Sequence, residues 1–378
     1  MLAESDIACA KGSQKLACSG EKSSVSIKAH NRAAGCLPDP PGVIATREIP
    51  VKPARRFKGA FFEHRLAWAK AETTGGAGMR TAGVIGIGDM GSGLAKNLIK
   101  HGYKVTGVDL KPDRMAAFIE MGGVSASSAA QVGQAAQAVF VMVMTGEEAK
   151  SVILGEDGLV SHLPKGGAVI LSATIKPREA REIGAAMEGS GIHLIDTPVS
   201  GGFPGAQSGT LTMMAAAPES ILDQFADVME AVSANIHRVG TKPGDGQTVK
   251  ACLQSLIGAQ FSATFEAAAL AAKAGVSGQV LLDVFSTSSA GCGVVNNALE
   301  KIIDRQFEGT GSHINTMHKD LTISMGLGEE LGVPLHTAAS AMQIFHAGRT
   351  RYPNGDNWVC TRVIEEIIGA ELHRKALK

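Results

Sequence analysis

The fold is decided by the sequence Gly83-Val84-Ile85-Gly86-Ile87-Gly88-Asp89-Met90-Gly91-Ser92-Gly93-Leu94. Its apolar start is typical of a buried strand, and apolar side chains recur at helical spacing after Gly91. Gly86 permits a tight turn, Gly88 lets a pyrophosphate approach the backbone, and Gly91 lets the helix lie close to the strand. Unpaired N–H groups at the start of that helix would hold the phosphates. Residues 86–91 are therefore predicted to bind a dinucleotide.

A second predicted strand, Lys104–Val108, leads into Asp109, about 20 residues after the glycines. An acidic residue at this place accepts hydrogen bonds from the hydroxyls of the adenosine ribose. A strand, turn and helix without a ligand is the alternative, and the order of strand, glycines, helix and acid favours the dinucleotide. Asp109 would repel a 2′-phosphate, which favours NAD over NADP, whereas Lys111 leaves NADP open.

The composition argues against several classes of protein. Lys and Arg number 36, as do Asp and Glu, so no net charge indicates a nucleic acid or a membrane surface as partner. No apolar run approaches the length of a membrane span. The six cysteines are dispersed without metal-ligand spacing, so we expect free thiols, no metal and a reducing compartment. We expect a cytoplasmic protein, with import into an organelle left open by the N-terminal segment.

Residues 1–78 differ from the rest of the chain. They are rich in Ser, Lys, Ala, Gly and Pro, show little hydrophobic periodicity and lack the apolar core of a secretory signal. A transit peptide is the alternative, although Glu4 and Asp6 lie where such peptides are poor in acids. We expect an upstream extension or a disordered tail, with Met79 as the natural start. The intact mass of the protein from its native source would test this.

From residue 79 to 242 the pattern alternates strands and helices. Apolar strands are predicted at Ala138–Met144, Ala168–Leu171 and His193–Asp196. From 243 to 370 only helices are predicted, beginning with a long one at Gln247–Ala274, and residues 371–378 form a tail. The predicted fold class is α/β followed by all-α. A Rossmann dinucleotide-binding domain at 79–242 would precede a helical substrate and dimerisation domain at 243–370.

Lys250 and Gln254 lie one turn apart near the start of the long predicted helix, where the two domains should meet. A lysine that is partly desolvated there has a lowered pKa and could exchange a proton with a substrate hydroxyl. From position alone, a solvated lysine is the commoner outcome for a helix. The residues around Lys250 therefore leave both interpretations open.

Three other places carry polar side chains that could bind a ligand. Ser200-Gly201-Gly202 offers a hydroxyl and backbone N–H groups to a carboxylate, or it is an ordinary glycine-rich turn. Lys319-Asp320 precedes apolar residues of a later helix and could be its solvated start. Thr145 follows a strand at the edge where ligands meet such sheets.

Four segments together resemble the β-hydroxyacid dehydrogenases, a family that includes 3-hydroxyisobutyrate, tartronate-semialdehyde and L-threonate dehydrogenases. They are the cofactor segment Gly86–Gly91, the substrate segment Asp196–Gly202, the catalytic segment Gly244–Lys250 and the late segment Lys319–Leu321. The resemblance covers residues 81 to about 370 and favours the catalytic interpretation of Lys250.

The resemblance implies Lys250 as the proton donor and acceptor. It places the substrate carboxylate on Ser200, Gly201 and Gly202, with Gln254 and Asp320 as further substrate contacts. With the glycine motif, it assigns the cofactor to Gly86, Ile87, Gly88, Asp89, Met90, Gly91, Asp109, Met144, Thr145, Thr174 and Lys319. The implied enzyme is a homodimer or homotetramer. It would interconvert a small 3-hydroxy acid and its aldehyde or keto acid by hydride transfer to or from NAD, or NADP.

The chain departs from the family pattern at two places. Leu253 stands where the family usually has Asn, which predicts the loss of a polar substrate contact. Ser312 or His313 stands where an aromatic residue often precedes the late Lys-Asp pair. An imine reductase and a non-catalytic cofactor-binding scaffold are the alternative functions. Lys250 argues against both, because relatives of those kinds generally lack the lysine. Leu253 is nevertheless compatible with the scaffold alternative.

Overall fold

The computed structural model describes residues 80–375, so the predicted extension at 1–78 lies outside the described residues. The strands are β1 (Thr81–Ile85), β2 (Lys104–Val108), β3 (Val124–Ser125), β4 (Ala138–Val141), β5 (Ala168–Leu171), β6 (His193–Asp196), β7 (Val199–Ser200), β8 (Leu211–Ala216) and β9 (Ser233–Gly240). The first helices are α1 (Asp89–Lys100), α2 (Pro112–Glu120), α3 (Ala129–Ala135), α4 (Gly146–Leu154), α5 (Leu159–His162), α6 (Pro177–Ala186), α7 (Gly202–Ser208), α8 (Glu219–Gln224) and α9 (Ala226–Glu230). They are followed by α10 (Asp245–Lys273), α11 (Gly278–Thr287), α12 (Gly293–Ile303), α13 (Ile314–Leu331), α14 (His336–Arg351), a 3₁₀ helix (Asn357–Val359) and α15 (Cys360–Ile368).

One sheet contains all nine strands of the described region, in the order β3-β2-β1-β4-β5-β6-β8-β7, with β9 paired to β8. Neighbouring strands from β3 to β6 are parallel, whereas β8 runs antiparallel to β6 and β7. Every residue of β4 and β5 is buried, as expected of parallel strands covered on both faces. The strand order reverses between β1 and β4, which opens a crevice at their carboxyl ends.

Helices cover both faces of this sheet, because alternate residues of each strand point into opposite cores. Phe140 of β4 packs with Leu94 and Leu98 of α1 on one face. Val139 and Val141 pack on the other face, with apolar residues of α3, α4 and α6. The sheet with its two layers of helices, followed by a helical part, confirms the predicted fold class.

The structure differs from the sequence prediction in the extent of β4 and in the presence of β3, β7 and β9. The predicted strand Ala138–Met144 ends at Val141, because β4 pairs with β5 only as far as Leu171. Residues 142–144 leave the sheet and line a cleft, which explains why the apolar run continues beyond the strand. β9 was not predicted because most of its side chains are partly or fully exposed and show no apolar alternation. β3 and β7 contain only two residues each, which is too short for a strand pattern.

The helical part is built around α10, a single helix of 29 residues. The rings of Phe261 and Phe265 stack with centroids 5.9 Å apart, and Phe345 and Trp358 pack against them. Burial of each such ring contributes about 2–3 kcal/mol, so this cluster joins α10, α14 and the 3₁₀ helix. Within residues 80–375, no helix combines the length and the apolar character needed to cross a membrane. The sheet ends at Gly240, while the domain bounds near residue 242 stay a prediction.

Candidate active site

A cleft of about 1950 Å³ lies between the carboxyl ends of the strands and the helical part. We call its two sides the sheet wall, formed by residues that follow β1, β2, β4, β5 and β7, and the helical wall, formed by α10, α12, α13 and the loop 305–313. The predicted site residues on these walls are Gly86, Gly88, Asp89, Met90, Gly91, Asp109, Met144, Thr174, Ser200, Gly201, Gly202, Lys250, Gln254, Lys319 and Asp320. Two other predicted residues, Ile87 and Thr145, are not among the residues that line the cleft, and each makes a local hydrogen bond.

The loop between β1 and α1 has the shape that its glycines predict. Gly86 adopts φ 88°, and a Cβ at this position would lie 2.3 Å from the carbonyl oxygen of Met142. A Cβ at Gly91 would lie 1.8 Å from the carbonyl oxygen of Gly86. No side chain caps α1 at Gly88, so the N–H groups of its first turn are left for a ligand. This cradle fits the pyrophosphate of NAD(P).

Asp109 is fixed at the end of β2 by three donors. Its Oδ2 accepts the Ile87 N–H at 2.7 Å, and its Oδ1 accepts the Lys111 N–H at 2.9 Å. The guanidinium of Arg114 lies 3.3 Å from Oδ2, and its charge weakens the repulsion that Asp109 exerts on a 2′-phosphate. Arg114 was not among the predicted site residues, although its place in the first turn of the helix after Asp109 is a usable signal.

Met144 and Thr145 lead into α4 and are bound to its first turn. The Thr145 hydroxyl accepts the Glu148 N–H at 3.1 Å and so caps the helix. The Glu148 carboxylate accepts the Met144 N–H at 2.8 Å. Met144 and Glu148 line the cleft, whereas the Thr145 hydroxyl is engaged in the cap.

Lys250 is buried on the helical wall, with 6% of its surface exposed, so the solvated alternative is wrong. Its Nζ donates a hydrogen bond of 2.8 Å to the carbonyl oxygen of Val199. Burial lowers the pKa of Lys250 from its ordinary 10.5, the nearby Asp320 carboxylate opposes that shift, and the charge of Lys319 adds to it. An amine in this setting can exchange a proton with a ligand hydroxyl.

Asp320 connects Lys319 and Gln254 within the same wall. Gln254 Nε2 donates to Asp320 Oδ2 at 2.6 Å, and Lys319 Nζ lies 3.0 Å from Asp320 Oδ1. Lys319 Nζ also donates to the carbonyl oxygen of Thr174 at 2.6 Å, which joins the two walls of the cleft. The interpretation of Lys319-Asp320 as a solvated helix start is wrong, because α13 begins at Ile314 and Asp320 is 4% exposed.

Leu253 is not among the residues that line the cleft. At 100° per residue, the α10 residues that line the cleft cluster on one face: Lys250, Gln254, Ile257 and Phe261. Leu253 points about 70° away from the middle of that face. The polar position one turn after Lys250 is occupied by Gln254, and the loss of a polar substrate contact at Leu253 stays a prediction.

The turn after β7 lies beside the lysine, because Lys250 bonds to Val199, the residue that precedes Ser200. Gly201 and Gly202 adopt φ values of 132° and 59°, which a side chain would disfavour. The turn thus offers the Ser200 hydroxyl and exposed backbone next to an ammonium group. These groups suit a small carboxylate.

The loop 305–313 lines the cleft and is bonded to Asp356 and Asn357. Asp356 Oδ2 accepts both the N–H and the hydroxyl of Thr310 at 2.7 Å. Gly311 then packs on Phe203 across the cleft, where a Cβ at Gly311 would lie 2.6 Å from Phe203 Cβ. The phenyl ring of Phe203 therefore contacts the loop that contains Ser312 and His313, where related sequences often have an aromatic residue.

Comparison with known families matches both parts of the chain. Residues 81–240 match the family described as the NAD binding domain of 6-phosphogluconate dehydrogenase. Residues 244–363 match the family described as NAD-binding of NADP-dependent 3-hydroxyisobutyrate dehydrogenase. The two matches meet between the last strand and α10.

Individual proteins are similar over most of their length. L-threonate dehydrogenase of Escherichia coli O6:H1 is 33% identical over 75% of this chain and 95% of that protein. A 3-hydroxyisobutyrate dehydrogenase of Pseudomonas aeruginosa is 32% identical over 69% of this chain and 89% of that protein. The crystal structure of 3-hydroxyisobutyrate dehydrogenase from Salmonella typhimurium matches with a TM-score of 0.70 and 29% identity, over 75% of this chain and 99% of that one.

Proposed function

Since the chain belongs to the β-hydroxyacid dehydrogenase family and is an NAD(P)-dependent hydroxyacid dehydrogenase, we propose that Lys250 is its general acid and base. We propose a small 3-hydroxy acid of the 3-hydroxyisobutyrate, threonate or glycerate class as substrate, with its aldehyde or keto acid as product. The observation that carries this proposal is the burial of Lys250 in the cleft, directly beside the turn Ser200–Gly202.

Lys250 would take the proton of the substrate hydroxyl during oxidation and return it during reduction. The NAD(P) cofactor, when bound, accepts or supplies the hydride. One N–H of Nζ is held by the Val199 carbonyl, which orients the amine towards the cleft. The lowered pKa of Lys250 makes the neutral, basic form available closer to neutral pH.

The substrate carboxylate would bind the Ser200 hydroxyl and the backbone of Gly201 and Gly202. Gln254 would orient the remainder of the substrate, because Asp320 fixes its amide at the surface of the cleft. Lys319 would contact the cofactor, because its Nζ donates a hydrogen bond to the carbonyl oxygen of Thr174 on the sheet wall. The assembly is proposed to be a homodimer or homotetramer, as the family resemblance implies.

NAD is the proposed cofactor, because the anchored Asp109 carboxylate is suited to ribose hydroxyls. Arg114 supports use of NADP as well, since its guanidinium lies where it could pair with a 2′-phosphate. An imine reductase remains the second candidate by fold, and the buried Lys250 argues against it.

A turnover screen tests the proposed function. NAD and NADP would be offered with L-threonate, D-glycerate, 3-hydroxyisobutyrate and 3-hydroxypropionate, and Lys250→Ala would be run beside the wild-type chain. We expect reduced cofactor to form with at least one of these acids and not with the variant. Reduction of cyclic imines without oxidation of any hydroxy acid, or normal turnover by Lys250→Ala, would overturn the assignment.

A further inference from the structure

Asp196 and Gln247 form a buried hydrogen-bonded pair at the base of the helical wall. Asp196 ends β6 and has no exposed surface. Its Oδ2 accepts the N–H groups of Gly244 and Gln247 at 2.8 and 3.3 Å, and its Oδ1 accepts Gln247 Nε2 at 2.9 Å. The carboxylate therefore holds both the backbone and a side chain of the first turn of α10.

The Gln247 amide bonds to three partners on two different segments. Besides Asp196, its Nε2 donates to the carbonyl oxygen of Ala173, and its Oε1 accepts the Ile175 N–H, both at 3.0 Å. These two residues flank Thr174, whose carbonyl receives the Lys319 ammonium. A single amide, 1% exposed, thus ties α10 to the end of β6 and to the segment that follows β5.

The pair is one of two parallel connections between the same two segments. Asp196 bonds to Gln247, and three residues later on each segment Val199 bonds to Lys250. Gly246 allows this close approach, since a Cβ there would lie 2.6 Å from Met214 O. Three helical residues correspond to about 4.5 Å along α10, so a shift at Gln247 is passed directly to Lys250.

We propose that Gln247, held by Asp196, is a positioning residue that sets the place of the Lys250 amine in the cleft. The inference rests on the proposed function, in which Lys250 exchanges the proton. A pair that only stabilised the fold would lower stability when altered, without a specific effect on proton transfer. A positioning pair must change the turnover number while the cofactor still binds.

The test uses Asp196→Asn, Gln247→Glu and the double variant. In Asp196→Asn, an NH₂ group replaces one of the two carboxylate oxygens. This NH₂ group faces either the NH₂ group of Gln247 or the N–H groups of the first turn of α10, so two donors oppose each other in both orientations. In the double variant the carboxyl group introduced at position 247, when protonated, can accept from the amide introduced at position 196 and donate to Ala173 O, which restores complementary partners. We expect kcat to fall about 10- to 100-fold in each single variant, because misplacing a catalytic group by about 1 Å can cost that much.

The double variant is expected to recover a large part of the lost kcat, while the Kd for NAD stays within about twofold of wild type throughout. Tyr103→Phe is the control, because it removes a hydrogen bond of a buried side chain, to Asp227, away from the cleft. We expect this control to lower the melting temperature and to leave kcat unchanged. Single variants with wild-type kcat, or a double variant no better than the worse single one, would overturn the inference.

A second readout does not depend on turnover. The rate at which an amine-reactive reagent labels Lys250, followed by peptide mass spectrometry, reports how well the amine is held in its buried place. We expect faster labelling in both single variants and a return towards the wild-type rate in the double variant. Unchanged labelling of Lys250 in folded single variants would contradict the positioning role of Gln247. If the single variants label faster but the wild-type enzyme oxidises none of the hydroxy acids, only the proposed function would be contradicted.

Discussion

The sheet wall of the cleft presents backbone to a ligand, whereas the helical wall presents buried polar side chains. On the sheet wall, Gly86 and Gly91 leave room for a dinucleotide, and the Asp109–Arg114 ion pair lies beside them. On the helical wall, Lys250 and Asp320 are both more than nine-tenths buried. The contrast teaches that cofactor binding depends on empty space and N–H groups, whereas proton transfer depends on a desolvated amine.

The two walls should therefore respond differently to substitution. Any added atom on the sheet wall blocks the cradle, so affinity for the cofactor should change before turnover does. Loss of an atom on the helical wall leaves the cradle intact, so turnover should change before affinity does. The first two of the following predictions separate these two quantities, and the last two test the charges on each wall.

The largest effect is expected from Lys250→Met, which keeps the length of the side chain and removes the amine. Turnover should fall by about 10³-fold, since a positioned general acid or base contributes about 10²- to 10⁴-fold. The Kd for NAD, measured by fluorescence titration, should stay near the wild-type value. Lys273→Met is the matched control, because Lys273 lies at the exposed end of the same helix. An equal loss of affinity and turnover would mean that the walls do not act separately.

The reverse pattern is expected from Gly91→Ala. The added Cβ would lie 1.8 Å from Gly86 O, so the loop must move and the dinucleotide cradle is lost. We expect the Kd for NAD to rise by about 100-fold, comparable to losing two charge-assisted hydrogen bonds. Gly326→Ala serves as control, since that exposed glycine of α13 has no atom near the added Cβ. Isothermal titration calorimetry measures both variants, and normal NAD affinity in Gly91→Ala would refute the space argument.

The sheet wall was largely predictable from sequence because its residues act through local geometry. A strand, three glycines at fixed spacing, a helix and a terminal acid define the cradle within 27 residues, from Gly83 to Asp109. Arg114 was missed because its pairing with Asp109 depends on how α2 turns back towards β2. The end of β4 was missed because apolar residues continue into the cleft wall.

The helical wall was predictable only in part, because its pairs join residues far apart in the chain. Gln254 and Asp320 are 66 positions apart, and Asp196 and Gln247 are 51 apart. Periodicity alone does not identify such partners. It correctly placed Lys250 and Gln254 on one face of a helix, while their burial, and that of Asp320, follows from packing between separate segments.

A smaller effect is expected from Arg114→Ala, which tests the charge on the sheet wall. Removal of the guanidinium leaves Asp109 without a neutralising partner, so NADP should bind about tenfold more weakly. Binding of NAD should change little, because the backbone donors to Asp109 remain. The ratio of kcat/KM for the two cofactors measures the change. An unchanged ratio would show that Arg114 does not contact the 2′ position.

The smallest effect is expected from Asp320→Asn, which alters charge on the helical wall and keeps the side-chain shape. The Asp320 carboxylate raises the pKa of Lys250 against the effect of burial, so its removal should lower that pKa further. Oxidation requires the neutral amine, so its rate rises with pH through the pKa of Lys250, and this limb should move to lower pH. Reduction requires the ammonium form, so its rate should begin to fall at a lower pH. Asp304→Asn, which disturbs the pair with Arg374 instead, should leave both limbs in place. A limb that moves to higher pH in Asp320→Asn would show that Asp320 does not stabilise the ammonium form of Lys250.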